Sequence, residues 1–521
     1  MQHSSPAGQH QEAFPTSTEG LEWAANPEAV ALEPGTSLSL RIAPVRKRIG
    51  EASVRMLAYN GSIPGPTLRV REGSEIAVEV ANEAELDQTV HWHGLRLENQ
   101  FDGVPHDTQA PIPPGGRYTH RLRFPDPGIY WYHPHIREDY AQELGLYGTL
   151  VVAPTDPSYW PPVHRELTLT LDDVLIEDGR IAPFSRSGPD RTAMGRFGNV
   201  TLTNGDTDFR LTVRQQEVVR LYLVNTANTR VFNVRLPGAR MKLIGGDSGR
   251  CEHETFADQV LLAPSERAVV DVCFEHAGVV PLEHRTPERT YRLGALTVTA
   301  EPAVPSLVEP FGILRSDSPL RTERARLDAD LSRPPDRTLA LVGEMPGMHH
   351  HHTDHGMHHD MPHDTDDGTA HDDGIEWEDT MPDMNLMSTT SNMHWKLIDR
   401  DSAQANEQID WVFGVGDRIK IRLINEPDSD HPMHHPFHVH GERFLVLSRN
   451  GEPNPNLGWK DTVLIRAGET IDILLDASNP GLWMAHCHIA EHAESGMMFN
   501  FRVTAAPAKN TSHDGPESGR E

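Results

Sequence analysis

The sequence predicts an all-β chain made of three related β-sandwich or β-barrel domains, and three observations carry that prediction. One strand pattern is written three times. In Glu75–Asn82, apolar residues stand two, four and six positions before Asn82. The pattern recurs before Asn225 (Leu223, Leu221, Val219) and before Asn425 (Leu423, Ile421, Ile419). Alternation with period two, ending at a turn residue, marks a strand with one buried face. Second, valine-rich strands alternate with Gly/Pro turns, and helical periodicity is scarce. Third, the copies lie roughly 140 and 200 residues apart, and removing a low-complexity insert of about 50 residues from the last copy restores an equal period.

The elements follow in order. Residues 1–25 read as a polar, disordered tail, 26–156 as the first domain and 157–304 as the second. Residues 305–507 form the third domain, with an insert at 345–394, and 508–521 form a second disordered tail. The stretch from Met345 to Trp395 holds ten of the 31 histidines and half of the 16 methionines. Asp and Gly fill its gaps without apolar periodicity, so a mobile loop is expected.

A net charge of −29 argues against a nucleic-acid partner; it attracts cations and favours solubility. No apolar run is long enough to span a bilayer. The segment Met1 to Glu28 lacks the apolar centre of a signal peptide, so either the chain is cytoplasmic or a leader has been trimmed. Cys251 and Cys273 are either bridged or two buried thiols.

The chemistry concentrates in His486-Cys487-His488, followed by His492 and Met497. On a strand, successive side chains face opposite ways, so Cys487 and the two histidines would serve two metal sites joined by a few covalent bonds. Three more His-x-His pairs occur, His91/His93, His133/His135 and His438/His440, all in the first and third copies. The middle copy reads Phe232-Asn233-Val234 instead. The ligand pairs are therefore expected at an interface between domains one and three. Eight imidazoles suit three copper ions with open positions for O2. His435, Cys487 and His492, with Met497 as a weak axial ligand, have the composition of a blue-copper electron-transfer centre. Met498 is the alternative axial ligand. His431 and His434 are surplus and read as ordinary polar residues.

The motifs HWHG, WYHPH, HPFHVHG and HCHIAEHAESGMM resemble those of the three-domain multicopper oxidases, the bacterial laccases and cuprous oxidases, from about Pro34 to Val503. The resemblance implies three cupredoxin-like Greek-key domains and four copper ions. His91 and His438 would hold type 2 copper. His93, His133 and His488 would hold one type 3 copper, and His135, His440 and His486 the other. His435, Cys487, His492 and Met497 would hold type 1 copper. A donor would give single electrons to the type 1 site through an exposed edge of His435 or His492. O2 would be reduced to water at the cluster. Asp102 looks like the acid that family members use to supply protons, although an aspartate before Gly103 is also an ordinary turn residue. Several relatives carry a second acid directly after the last type 1 histidine, where this chain has Ala493; Glu491 or Glu494 are candidates to replace it. The donor is a phenol or aromatic amine, Cu(I), or both. Accessory copper would bind the insert at Met345, Met348, His349, His350, His351, His352, His355, Met357, His358, His359, Met361 and His363. A copper-tolerance protein with little organic oxidase activity is the other reading. The chain is expected to act as a monomer, periplasmic or extracellular as its relatives usually are.

Overall fold

The thrice-written strand lies in the same setting each time. Glu75–Asn82 pairs in parallel with Ser37–Ile49 and antiparallel with Arg117–Arg123. Val218–Asn225 does the same with Arg165–Val174 and Arg267–Cys273. Arg418–Asn425 does so with Arg337–Glu344 and Thr470–Asp476. The closing asparagine has a physical reason. The Asn82 amide donates to the carbonyls of Leu86 and Ile112, each at 2.7 Å. Asn225 donates to Arg230 and Leu262, and Asn425 to Met433 and Arg466. Each amide thus ties the end of its strand to two backbone carbonyls, at a net gain of about 0.5–1.5 kcal/mol per bond.

The structure, a computed structural model, describes residues 13–346 and 373–505. Each repeat's sheet is matched by a second sheet. In the first unit this has the order Ala29–Ala31, Thr67–Arg71, Gly148–Ala153, Gly128–His133, His91–His93. In the third it runs Trp411–Gly414, Met498–Thr504, Gly481–Cys487, His435–Val439, Thr462–Ile465. The middle unit places Phe232–Arg235 between Gly278–Arg285 and Val260–Leu262. Each sandwich is built on a large apolar core, and the core of the first continues into the middle unit through Leu202, Tyr222, Val224 and Val269. The fold is all-β, as the alternation predicts. Among the described residues no helix is long and apolar enough to cross a membrane, and Cys251 and Cys273 are both free.

Two expectations need correction. The N-terminal tail is anchored at points along 13–25, although most of its residues are exposed: Phe14 is buried and stacks on Tyr140 with ring centroids 3.8 Å apart, and Arg46 lies over the half-exposed Trp23. The insert is likewise not a loop throughout. It leaves after Arg337–Glu344 and returns on the antiparallel neighbour His394–Asp399. On the way back Ile375 and Trp377 pack against Val231, Ala263 and Leu464, and Pro382–Met387 forms a short helix. The Asn385 amide fixes that helix to the Met194–Gly195 loop. The apolar residues among the acidic ones, too few to create a period, suffice to anchor this arm.

Candidate metal centre

Strands His91–His93 and Gly128–His133 of the first sandwich meet His435–Val439 and Gly481–Cys487 of the third. His91 pairs with His133, and His438 with His486, across the respective strands. Between sandwiches, His93 stacks on His438 at 3.7 Å and His91 on His440 at 3.9 Å. His488 lies 5.0 Å from both His93 and His133, and His135 lies 5.4 Å from His486. All eight rings are buried. The glycine that follows His91/His93 and His438/His440 is required by crowding: at Gly94 (φ +83°) a Cβ would fall 2.5 Å from Asp461, and at Gly441 (φ +65°) 2.2 Å from Trp483.

The ring nitrogens are ordered. Nδ1 of His91, His133, His438 and His486 donates to the carbonyls of Asp102, Pro134, Asp461 and Cys487 at 2.7–2.8 Å. Nδ1 of His440 donates to Asp102 Oδ2 at 2.8 Å, and Nδ1 of His135 faces Glu138 Oε1 at 3.1 Å. Each ring therefore turns an Nε2 lone pair inward. Nε2 of His91, His133, His135 and His438 has no hydrogen-bond partner. Nε2 of His440 and Nε2 of His486 face each other at 3.0 Å, two lone pairs in contact. Burying unpaired acceptors costs about 1–3 kcal/mol each, and a cation between them removes that cost. Burial, followed by the neighbouring imidazoles, holds His93, His133, His135, His438 and His486 well below the ordinary histidine range. Neutral imidazole is the form that binds metal.

On the opposite face of the same strand, Cys487 Sγ lies 3.5 Å from His435 Nδ1 and 3.7 Å from His492 Nδ1. Burial pushes the Cys487 thiol upward, so it is a bound metal that would favour the thiolate. Met497 is fully buried in the core that holds Cys487, and its carbonyl accepts from the Cys487 N–H. Met498 lies opposite His486 and lines the cavity beside the cluster. The expected exposed histidine edge is absent: His435 is 1% and His492 0% exposed. Trp395 covers both, stacked on His492 at 4.0 Å and edge-on to His435 at 4.9 Å, with its indole N–H donating to Thr192 O at 2.6 Å. The surplus histidines differ from one another. His434 Nδ1 accepts from Glu376 N, whereas His431 Nε2 lies 3.1 Å from Met194 Sδ.

Carboxylates surround the cluster. Asp102 is fully buried between His440 and His91; burial pushes its carboxyl up, but those histidines outweigh burial and hold it below the usual carboxylate range. Glu494 and Glu138 share a cavity of about 840 Å³ with His135, and Glu494 accepts from the Glu138 N–H at 3.0 Å. Burial and then Asp139 push Glu494 up to about 7. Glu491 is turned away toward Thr229. Residues that the sequence did not single out include Glu138, Trp395 and Asp461. Glu138 stands at i+3 from His135, a readable spacing, but Asp461 sits at a bend between two strands and Trp395 on the strand His394–Asp399, and what each touches depends on tertiary packing. Of the accessory candidates, Met345 is described and packs against the third core. Met348, His349, His350, His351, His352, His355, Met357, His358, His359, Met361 and His363 lie outside the described residues.

Comparison with known proteins agrees with this geometry. Residues 44–157 and 377–507 each match a family model described as multicopper oxidase. The chain is 28% identical to multicopper oxidase MmcO of Mycobacterium tuberculosis, over 87% of this chain and 84% of that protein. It is 26% identical to a copper resistance protein A homolog of Pseudomonas syringae pv. tomato, over 90% and 92%. The crystal structure of a multi-copper oxidase from Pseudomonas thermotolerans superposes with a TM-score of 0.66 at 26% identity, covering 91% of this chain and all of that one. With its three cupredoxin-like sandwiches and buried His and Cys sets, the chain belongs to the multicopper oxidases, copper-dependent oxidoreductases.

Proposed function

We propose that the chain oxidises a small donor one electron at a time and reduces O2 to water, and that Cu(I) is favoured as donor over phenols and aromatic amines. One observation carries the coupling: Cys487, the last residue of the strand Gly481–Cys487, lies between His486 and His488, so two buried ligand sets are joined through side-chain and peptide bonds alone. Copper, when bound, supplies one-electron chemistry at the cysteine set and reduction of O2 at the histidine cluster. Four ions are proposed, with the type 1, type 2 and type 3 holders implied by the family motifs. The protein's part is to hold the imidazoles neutral and oriented, to exclude water, and to keep carboxylates beside them. Asp102 orients His440 and Glu138 orients His135, while Glu494 and the adjoining cavity offer a proton route that stands in for the acid missing at Ala493. An exported, periplasmic or extracellular site of action belongs to the same reading.

The choice of Cu(I) is supported by the cover over His435 and His492, which keeps bulky rings away, and by the Met194–His431 contact. Thioether and imidazole together suit Cu(I), and the His431 ring lies 6.0 Å from Trp395, which stacks on His492. Steady-state O2 uptake with Cu(I) and with a phenol tests the reading; a mere copper buffer consumes no O2 with either. Because residues 373–394 are packed, the informative deletion replaces only 347–372 with a short Gly/Ser linker. Phenol turnover should rise and Cu(I) turnover fall, and unchanged rates with both donors would refute a gating role for the insert. Met194→Leu, which keeps the volume but loses the sulfur, should raise KM for Cu(I) about tenfold, or ~1.4 kcal/mol, with phenol kinetics unmoved. An unaltered KM for Cu(I) removes Met194 from donor binding.

A further inference from the structure

We infer that the middle sandwich, which supplies no candidate ligand to the histidine cluster or the cysteine set, fixes the ligating nitrogen of His93 through its Arg267 and the third sandwich's Asp461, two positioning residues of the histidine cluster. The inference rests on the copper reading above. Arg267, on the strand Arg267–Cys273 of the middle sandwich, is fully buried. Its Nη1 and Nη2 donate to Asp461 Oδ1 and Oδ2 of the third sandwich at 2.5 and 2.6 Å, and its Nε donates to Ile129 O of the first at 3.0 Å. One side chain therefore ties all three sandwiches together at the cluster's edge. Asp461 in turn holds two candidate ligands. Its carbonyl accepts from His438 Nδ1 at 2.8 Å, and its Oδ1 lies 3.0 Å from His93 Nε2.

The consequence for His93 follows from donor and acceptor chemistry. A carboxylate gripped by a two-pronged guanidinium is ionised and can only accept. His93 Nε2 must then carry the proton, which leaves the lone pair on Nδ1. That atom has no hydrogen-bond partner, and His93 groups with His91 and His133 as a set able to hold a metal ion. Six of the other imidazoles, His91, His133, His135, His438, His440 and His486, engage Nδ1 outward and present Nε2 instead. His93 is reversed, and the group that reverses it is the Arg267-bound Asp461. Thr462 Oγ1, also 3.0 Å from His93 Nε2, can donate or accept and so does not choose the tautomer. Gly94 leaves the room for this ion pair, since a Cβ there would fall 2.7 Å from Arg267 Nη2.

The test is copper loading of the full chain. Arg267→Met with Asp461→Asn removes both charges together and so leaves neither one of the pair buried without its partner. Copper-to-protein ratio, blue absorption and the paramagnetic spectrum of the cluster are measured beside wild type. Blue absorption should persist while cluster copper affinity falls about 10- to 100-fold, the usual effect of losing a partner that orients a ligand. Arg267→Lys, which keeps the charge but not the fork, should be intermediate. Full copper content with an unchanged cluster spectrum overturns the inference. So does equal loss of blue absorption and cluster copper, which would indicate a general folding role. Wild-type protein that loads no copper at the histidines overturns the copper reading itself.

Discussion

Cys487→Ser is expected to abolish the blue absorption and to reduce donor-driven O2 uptake by more than about a hundredfold, beyond the range for losing a partner of a ligand. The substitution is nearly isosteric, so packing should survive: Cys487 is fully buried and its sulfur accepts from Ile489 N at 3.4 Å, a role a hydroxyl can fill, while its other close neighbours are the ring nitrogens of His435 and His492. What changes is the ligand. A thiolate is soft and covalent toward copper, whereas a serine hydroxyl is hard and stays protonated. The histidines on the other face keep their anchors, since His486 Nδ1 donates to the backbone carbonyl of residue 487 and the His488 N–H to Pro436 O. Cluster copper should therefore remain near the wild-type ratio while electrons no longer reach it. Copper analysis and O2 uptake on one preparation separate the two effects. Blue absorption that persists in the serine variant would remove Cys487 from the electron path.

Much of this site was legible because the local rules are strong. Period-two alternation identified the strands, and the recurring asparagine located the same loop junction three times. The order His486-Cys487-His488 could be read as two faces of one strand because a strand has no other way to present consecutive side chains. What stayed hidden depends on contacts between distant segments. Asp461 precedes an apolar strand as many solvent-facing aspartates do; only docking of the middle sandwich's Arg267 makes it a partner of His93. Trp395 is one apolar residue after a polar insert, and its place over His492 follows from strand pairing of His394–Asp399 with Arg337–Glu344. The expectation of an exposed His435 or His492 failed for the same reason: spacing identifies ligands but says nothing about what covers them. Met194 could not be seen either, since it is brought to His431 from the middle unit.

Asp102→Asn should slow reoxidation by O2 about 10- to 100-fold while leaving the blue absorption and its reduction by donor unchanged. Asp102 lies far along the chain from Cys487 and touches none of the blue-site candidates. Its contacts are with the cluster: Oδ2 accepts from His440 Nδ1 at 2.8 Å, Oδ1 lies 3.3 Å from His91 Nδ1, and its carbonyl accepts from that same His91 nitrogen at 2.7 Å. Asparagine has the same shape and its amide oxygen can still accept from His440, so the rings should stay in place and copper should load. It cannot carry the negative charge or pass a proton, however, and reduction of O2 to water consumes protons at the cluster. Two outcomes are informative in rapid-mixing experiments. If reduction of the blue site by donor is fast and return of colour on adding O2 is slow, the carboxylate serves the O2 half of the reaction. If copper content falls in parallel with the rate, Asp102 acts mainly by orienting His440. Wild-type turnover in the asparagine variant would exclude both roles and leave Glu138 and Glu494, beside His135, as the carboxylates to substitute next.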